Sequence, residues 1–273
     1  MSQLERINVI DREGIKGIDV SKWQGDVDWE RVKADGIHFA MLRMGLGNKN
    51  GSGYRIDEWF ERYVAGATAA GLDIGCYFYS YASTPAEAKN EARYVVGTLA
   101  AYQGTFTYPI VLDLEYQPLE SLDKDTLTSI VLEFGNYVER AGYYFALYSN
   151  LNWITYHYNM NDLACFDLWL AEWKDRPTYT GSYGMWQCGT SYVDGIQGDV
   201  DTDYAYKEYS TIIRSAGLNG FTISPVELNP DLISRTAVLD EFKRTYCHRC
   251  GALRRNQCER CMVSGCSSII SRM

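Results

Sequence analysis

Up to about residue 206 the chain alternates short apolar, β-branched or aromatic runs with amphipathic stretches, a rhythm that predicts β-α units around a mostly parallel sheet. The apolar runs place strands at 17–21, 38–44, 74–80, 109–114, 144–149, 168–173 and 184–188, with a short one near 199–203. Between them, the stretch opening at Trp29 reads as a short helix closed by Gly36, and 57–70 as a helix closed by Gly71. Thr84, Pro85 and Glu87 carry the cap, first-turn proline and third-position acid of a helix start, and 123–141 is a helix stopped at Gly142. Eight strands with about five helices predict an irregular β/α barrel of the α/β class, with thin helical cover in its second half. From 207 to about 230 the pattern dissolves into a short helical stretch, glycines and two prolines, read as a linker, and 231–273 forms a separate small helical and cysteine-rich unit.

Length agrees with this division, since 273 residues hold one barrel of 1–206 and a small appendage. No run reaches the ~18 to 20 consecutive apolar residues of a bilayer-spanning helix, so no membrane partner is expected. The first residues interrupt their short apolar run with charge and lack the apolar core of a secretory signal, which predicts synthesis in the cytoplasm. The overall charge of −9 hides an asymmetry: residues 231–273 hold eight basic and four acidic side chains, a net +4, which leaves −13 on residues 1–230. An acidic body with a basic, cysteine-rich tail suggests two modules with two tasks.

The chemistry concentrates at strand ends. Val111-Leu-Asp113-Leu-Glu115 is an apolar strand ending in two carboxylates, and strand alternation puts both on one side with Cα atoms about 6 to 7 Å apart. Like charges so close push one pKa upward and leave a protonated acid beside an ionised partner, the arrangement that glycosidic cleavage uses. Taken alone, Asp-x-Glu at a strand end serves equally as a helix cap or an ion pair. Asp19 ends the first strand and Asp201 lies in the last, however, and first and last strands are neighbours in a closed barrel, so acids from three places converge on one mouth. Tyr77, Tyr79, Tyr81, Tyr148, Trp169, Trp173 and Trp186 crowd the same ends. Such rings suit the apolar faces and hydroxyl rims of sugars, although Tyr77, Trp169 and Trp186 serve equally as barrel filling.

Seven blocks in order carry a resemblance: Gly-Ile-Asp-Val-Ser-Lys-Trp-Gln-Gly-Asp-Val-Asp-Trp at 17–29, Tyr-Phe-Tyr-Ser-Tyr-Ala at 77–82, Val-Leu-Asp-Leu-Glu at 111–115, Leu-Tyr-Ser-Asn at 147–150, Leu-Trp-Leu-Ala-Glu-Trp at 168–173, Met-Trp-Gln at 185–187 and Gly-Asp-Val-Asp-Thr-Asp-Tyr at 198–204. Over roughly 15–206 the chain resembles glycoside hydrolase family 25, the lysozymes or N-acetylmuramidases of bacteria and phages. The resemblance implies a flattened, irregular β/α barrel that cuts the β-1,4 bond between N-acetylmuramic acid and N-acetylglucosamine in bacterial peptidoglycan, with no cofactor for catalysis. It also implies Glu115 as general acid and Asp113 as its partner carboxylate, with Asp19 and Asp201 as the other acids of the cleft. Tyr79, Tyr148, Trp173 and Gln187 fall where the family lines its subsite. The simplest whole-chain reading is a phage endolysin acting on the wall after release. A catalytically silent glycan-binding barrel and a chitinase-like acetamido-sugar hydrolase are the competing functions.

The tail holds two Cys-x-x-Cys pairs, Cys247/Cys250 and Cys258/Cys261, a spacing that suits four thiolates around a structural zinc. The alternative is disulfides formed after release; synthesis in a reducing cytosol favours zinc. Its net positive charge fits anionic wall polymers, with nucleic acid as the less favoured competitor, and its 231–242 stretch offers a surface for self-association. Cys76, Cys165 and Cys188 are expected to be ordinary buried thiols.

Overall fold

The computed structural model describes residues 14–49 and 53–223. Its strands are β1 (Ile15–Val20), β2 (Phe39–Gly47), β3 (Tyr54–Ile56), β4 (Asp73–Tyr79), β5 (Ile110–Asp113), β6 (Phe145–Asn150), β7 (Asp167–Ala171), β8 (Met185–Tyr192) and β9 (Asp199–Ala205). Eight of them close a barrel in the order β1-β9-β8-β7-β6-β5-β4-β2, with β1 pairing back onto β2. The eighth and last strand of the ring departs from the parallel rule: β9 runs antiparallel to both β8 and β1. The reason is the connection, since only residues 193–198 join β8 to β9, whereas a parallel crossover needs a dozen or more. β3, which the hydrophobic pattern does not reveal, stands outside the ring as a flange on β2, pairing Gly45 with Ile56 and Gly47 with Tyr54.

Among the described residues six α-helices, α1 (Trp29–Ala34), α2 (Phe60–Ala69), α3 (Pro85–Leu99), α4 (Lys124–Arg140), α5 (Leu151–Tyr156) and α6 (Tyr209–Ser215), accompany the strands. Their limits follow the cap residues. The Thr84 hydroxyl accepts from Glu87 N at 3.2 Å to start α3, Asp123 accepts from Thr126 N at 2.8 Å to start α4, and Gly142, at φ 90°, takes the left-handed turn after it. The second helix is shorter than its sequence pattern of 57–70. Asp57 is buried in an ion pair with Arg43 and accepts from Trp59 N at 3.0 Å, which holds the chain in a turn until Phe60.

Strand alternation sorts the core into two layers. Ile18, Leu42, Ile74, Cys76, Leu112, Leu147 and Leu170 face outward against the helices, while Phe39, Met41, Tyr77, Val111, Ala146, Trp169 and Met185 fill the barrel itself. Each such fully buried large side chain contributes roughly 1.5–3 kcal/mol. Position 17, on the interior face, is a glycine because a β-carbon there would stand 2.3 Å from the Phe39 ring. Of the aromatics weighed as filling, Tyr77 and Trp169 lie inside the barrel, whereas Trp186 faces the outer layer and donates to Glu172 O at 2.8 Å.

The described part of the 207–230 stretch packs beneath the barrel, at the end where the parallel strands begin. Tyr209, Ile213 and Leu218 join the interior cluster. Asn219 donates to Phe106 O and Tyr108 O at 2.8 and 3.1 Å and accepts from Tyr144 N at 2.8 Å, so it ties this cap to β6 and to the segment before β5. Cys76 and Cys188 are buried and Cys165 is half-buried, and none of them is in a disulfide. Cys247, Cys250, Cys258 and Cys261 lie outside the described residues, as does the whole of 231–273.

Candidate active site

The opposite end of the barrel, where the parallel strands finish, collects carboxyl groups. Asp19 is the penultimate residue of β1, Asp113 the last of β5, and Glu115 lies two residues beyond it. The strand thus stops short of Glu115, and the chain leaves β5 between the two acids. Asp201 is directly opposite Asp19 in the β1–β9 ladder. Because β9 runs backwards, it delivers Asp201 from its opening residues rather than from a carboxyl end, yet to the same mouth.

Asp19, Asp113 and Glu115 each feel the charge of another acid of the group, and all four have their pKa raised. Burial is the main cause for Asp19, reinforced by Asp201 and Glu115, and it lifts this group to about 8 against the pull of the Gln187 and Asp203 hydrogen bonds. Burial first, then Glu115 and Asp19, push Asp113 well above the carboxylate range. Glu115 is raised by burial and by Asp201, while a hydrogen bond from Asn150 works the other way. Asp201 is raised by burial alone. An acid-lined, partly dehydrated cleft of this kind holds protons that water would take away, which is what a general acid requires.

Around the acids the polar side chains interlock. Gln187 Oε1 accepts from both Tyr148 OH at 3.0 Å and Trp173 Nε1 at 2.9 Å, so its amide nitrogen is turned to Asp19 Oδ2, at 2.8 Å. Tyr148 sits amid the carboxylates: burial first, then Glu115, Asp113, Asp19 and Asp203 raise its hydroxyl far above its usual range, so it stays a neutral donor. Tyr79, which pairs with Asp113 across β4–β5, is raised by burial and by the Asp113 and Glu115 charges. Tyr79, Tyr81 and Tyr116 form a continuous aromatic wall, with centroids 5.1 and 4.9 Å apart. On the other rim Trp173 is 60% exposed although its indole is hydrogen-bonded, a platform held in place rather than a loose side chain. All eight residues expected at the site, Asp19, Asp113, Glu115, Asp201, Tyr79, Tyr148, Trp173 and Gln187, therefore meet at one opening.

Two further residues belong to it. Asp203 is fully buried two positions after Asp201, on the same face of β9; Trp169 Nε1 donates to its Oδ1 at 2.8 Å. Its Oδ2 meets no donor among the described residues, and the group beside it is the Asp19 carboxyl, to which it is hydrogen-bonded. Burial, then the Asp19 charge, raise Asp203 well above its ordinary range, and a proton held there faces the Asp19 carboxyl. Period-two alternation within Asp199–Asp203 is the sequence cue for it. Asn150 is the second. Its Oδ1 caps α5 by accepting from Trp153 N at 3.1 Å, which leaves the amide nitrogen to donate to Glu115.

Asp113 Oδ1 is also buried without a donor among the described residues. Glu172, inside one of the motif blocks, takes no part in the opening: its carboxylate accepts from Thr178 N at 2.7 Å and Tyr179 N at 3.2 Å and fixes the loop after β7. Among the described residues there is no cluster of three or more His, Cys, Asp or Glu side chains arranged to hold a metal ion.

Comparison with known proteins gives a consistent match. Residues 18–196 fit the family described as glycosyl hydrolases family 25. Lysozyme M1 of Streptomyces globisporus is 27% identical over 208 residues, 71% of this chain and 69% of that protein. Of solved structures, the CTP1L endolysin matches with a TM-score of 0.63 at 27% identity over 73% of this chain and 69% of that one. The bacterial lysozyme of Streptomyces coelicolor matches with a TM-score of 0.62 at 26% identity over 77% and 99% respectively.

Proposed function

Since the chain belongs to glycosyl hydrolases family 25 and is a glycoside hydrolase of the lysozyme type, we propose that it cleaves the β-1,4 bond between N-acetylmuramic acid and N-acetylglucosamine of bacterial peptidoglycan. The observation that carries this reading is the juxtaposition of Glu115, whose pKa burial raises, with Asp113, whose buried Oδ1 meets no donor among the described residues. Glu115 gives its proton to the leaving glycosidic oxygen as the bond to the anomeric carbon breaks. Asp113 is the unfilled acceptor beside it, suited to the amide N–H of the substrate's acetamido group, and the remaining carboxylates oppose the positive charge that develops on the sugar ring. The Asp203 proton and the Gln187 amide keep Asp19 oriented. Tyr79, Tyr148 and Trp173 supply the rings and hydroxyls against which a pyranose packs.

The experiment is product analysis of digested walls. Muramic acid at the new reducing end supports the proposal; glucosamine there, or release of chitin oligosaccharides instead, points to the chitinase-like alternative. No new reducing ends at all indicates a silent glycan-binding barrel.

For the tail, the support is sequence alone: the spacing of Cys247, Cys250, Cys258 and Cys261 and the net +4 of 231–273. They favour a zinc-stapled module that holds the enzyme on anionic wall polymers. One zinc per chain in elemental analysis, together with salt-sensitive retention of the full chain on walls that is lost when the chain ends at residue 223, supports this. Retention on DNA in preference to walls reverses the partner.

A further inference from the structure

Beside the acid-lined opening lies a second hollow of different character. It is a cavity of about 340 Å³ between the turn after β1, the β2–β3 flange and the end of β4, and its walls include Trp23, Arg43, Arg55, Ile56, Tyr79 and Tyr81. Tyr79 is shared between the two hollows, since it pairs in register with Asp113.

The pocket reverses the charge of its neighbour. Lys22, Arg43 and Arg55 stand against Asp57 and Glu58. Arg43 is spent on Asp57, with its Nη2 2.6 Å and its Nε 2.7 Å from Oδ2, and Lys22 lies 3.3 Å from Glu58. Arg55 has no ion-pair or hydrogen-bond partner among the described residues. It stands on the flange as an unneutralised cation beside a cleft lined by five carboxyl groups.

The apolar surface is equally deliberate. Trp23 is 75% exposed and Ile56 36% exposed. Trp23 does not hang from a loose loop: Ser21 and Gln24 form a reciprocal capping box around its turn, Tyr63 OH donates to Ser21 O and Gly25 O at 3.0 and 2.6 Å, and Lys22 N donates to Asp57 Oδ2 at 3.1 Å. A large ring held rigidly out in water marks a contact surface.

The substrate has a part with this chemistry. In peptidoglycan the muramic acid carries, through its lactyl group, a short stem peptide with methyl side chains and free carboxylates. That peptide leaves the sugar next to the bond being cut. The acid-lined cleft is a poor place for a further carboxylate, and the adjoining hollow offers an unpaired guanidinium with an apolar floor. Resting on the muramidase reading, we propose that the flange pocket binds the acidic stem peptide of the muramyl residue, with Arg55 taking a stem carboxylate and Trp23 and Ile56 packing on its methyl groups.

The test is binding of two soluble probes to the full chain carrying Glu115→Gln: a muramic acid-containing disaccharide with an attached stem tetrapeptide, and the same disaccharide with a free lactyl group. Calorimetry should show about tenfold tighter binding of the peptide-bearing probe at low salt, the preference shrinking as salt rises. Adding Arg55→Glu, or separately Trp23→Ala, should bring the ratio of the two affinities close to one. Equal affinities for both probes, or a ratio that neither substitution moves, overturns the proposal while the muramidase reading stands. If neither probe binds and wild-type protein opens no glycosidic bond in walls, the muramidase reading fails and this proposal with it.

Discussion

The two ends of the barrel use the same residue type to opposite ends. At the floor, Asp167 opens β7 with its carboxylate saturated: Oδ2 accepts from Tyr209 OH at 2.7 Å, Tyr144 OH at 3.1 Å and Lys207 Nζ at 2.9 Å, and Oδ1 from Leu168 N at 3.0 Å. At the mouth, Asp113 and Asp203 are as deeply buried, yet among the described residues Asp113 Oδ1 meets no donor and Asp203 Oδ2 faces only another carboxyl. A buried carboxylate with donors on every side fixes structure; one left short costs stability and is kept where chemistry needs it. Within one barrel, therefore, hydrogen-bond completeness separates the scaffold from the site.

Substitutions at the two ends should separate activity from stability. Glu115→Gln is expected to lower the rate of wall clearing by about 10²- to 10⁴-fold with the melting temperature unchanged, and clearing at a near-normal rate would remove Glu115 from the acid role. Asp167→Ala should do the converse. Leaving two tyrosine hydroxyls and an ammonium without their acceptor costs about 2–3 kcal/mol, roughly 5–10 °C in Tm for a domain of this size, while kcat of the folded fraction holds. An activity loss without a drop in Tm would place Asp167 with the mouth.

Acidity sharpens the contrast further. Asp19, Asp113, Glu115, Asp201 and Asp203 all have folded pKa values above their unfolded ones. The folded state then binds the extra protons, so their contribution is greatest near and below the ordinary carboxylate range and is lost as pH climbs through the raised values, to about 8 for Asp19. Thermal melts should show Tm falling from pH 5 to pH 8. Asp203→Asn, which keeps a donor toward Asp19 without a titrating proton, should flatten that fall and raise Tm at pH 8 by a few degrees. An unchanged slope would mean that the proton does not reside on Asp203. Clearing activity of the wild type should likewise peak at mildly acidic pH and decline on the alkaline side as Glu115 ionises. The smallest effect is expected from Trp173→Ala, about a fivefold rise in KM with kcat retained, since an exposed ring contributes to binding and touches no transferred proton. A larger fall in kcat would show that its bond to Gln187 positions Asp19.

Most of this contrast could be read from residue order, and the exceptions share a cause. Strand ends carrying Asp19 and Asp113 were legible because apolar runs and period-two alternation report on burial directly. Asp203 was hidden behind Asp201: both sit in the same acidic segment, and which of two alternating acids meets a proton-sharing partner depends on β9 lying against β1, a long-range fact. The direction of β9 was in principle legible from the six-residue connection at 193–198, too short for a crossover. The flange strand β3 was not, because three residues among glycines and polar side chains carry no period, and they pair only because β2 runs on to Gly47. Trp186, which its residue type left open between sugar contact and barrel filling, does neither, because the parity of β8 sends it outward while Gln187, its neighbour, points in.

The backward run of β9 has a consequence for the layout of the whole chain. Ile15 and Ala205 are opposite one another in the β1–β9 ladder, so the polypeptide enters and leaves the barrel side by side at the floor, behind the cleft. Whatever is joined to either end is attached at the rear. The barrel thus has both of its junctions on the side away from its working face, the arrangement that favours circular permutation and fusion.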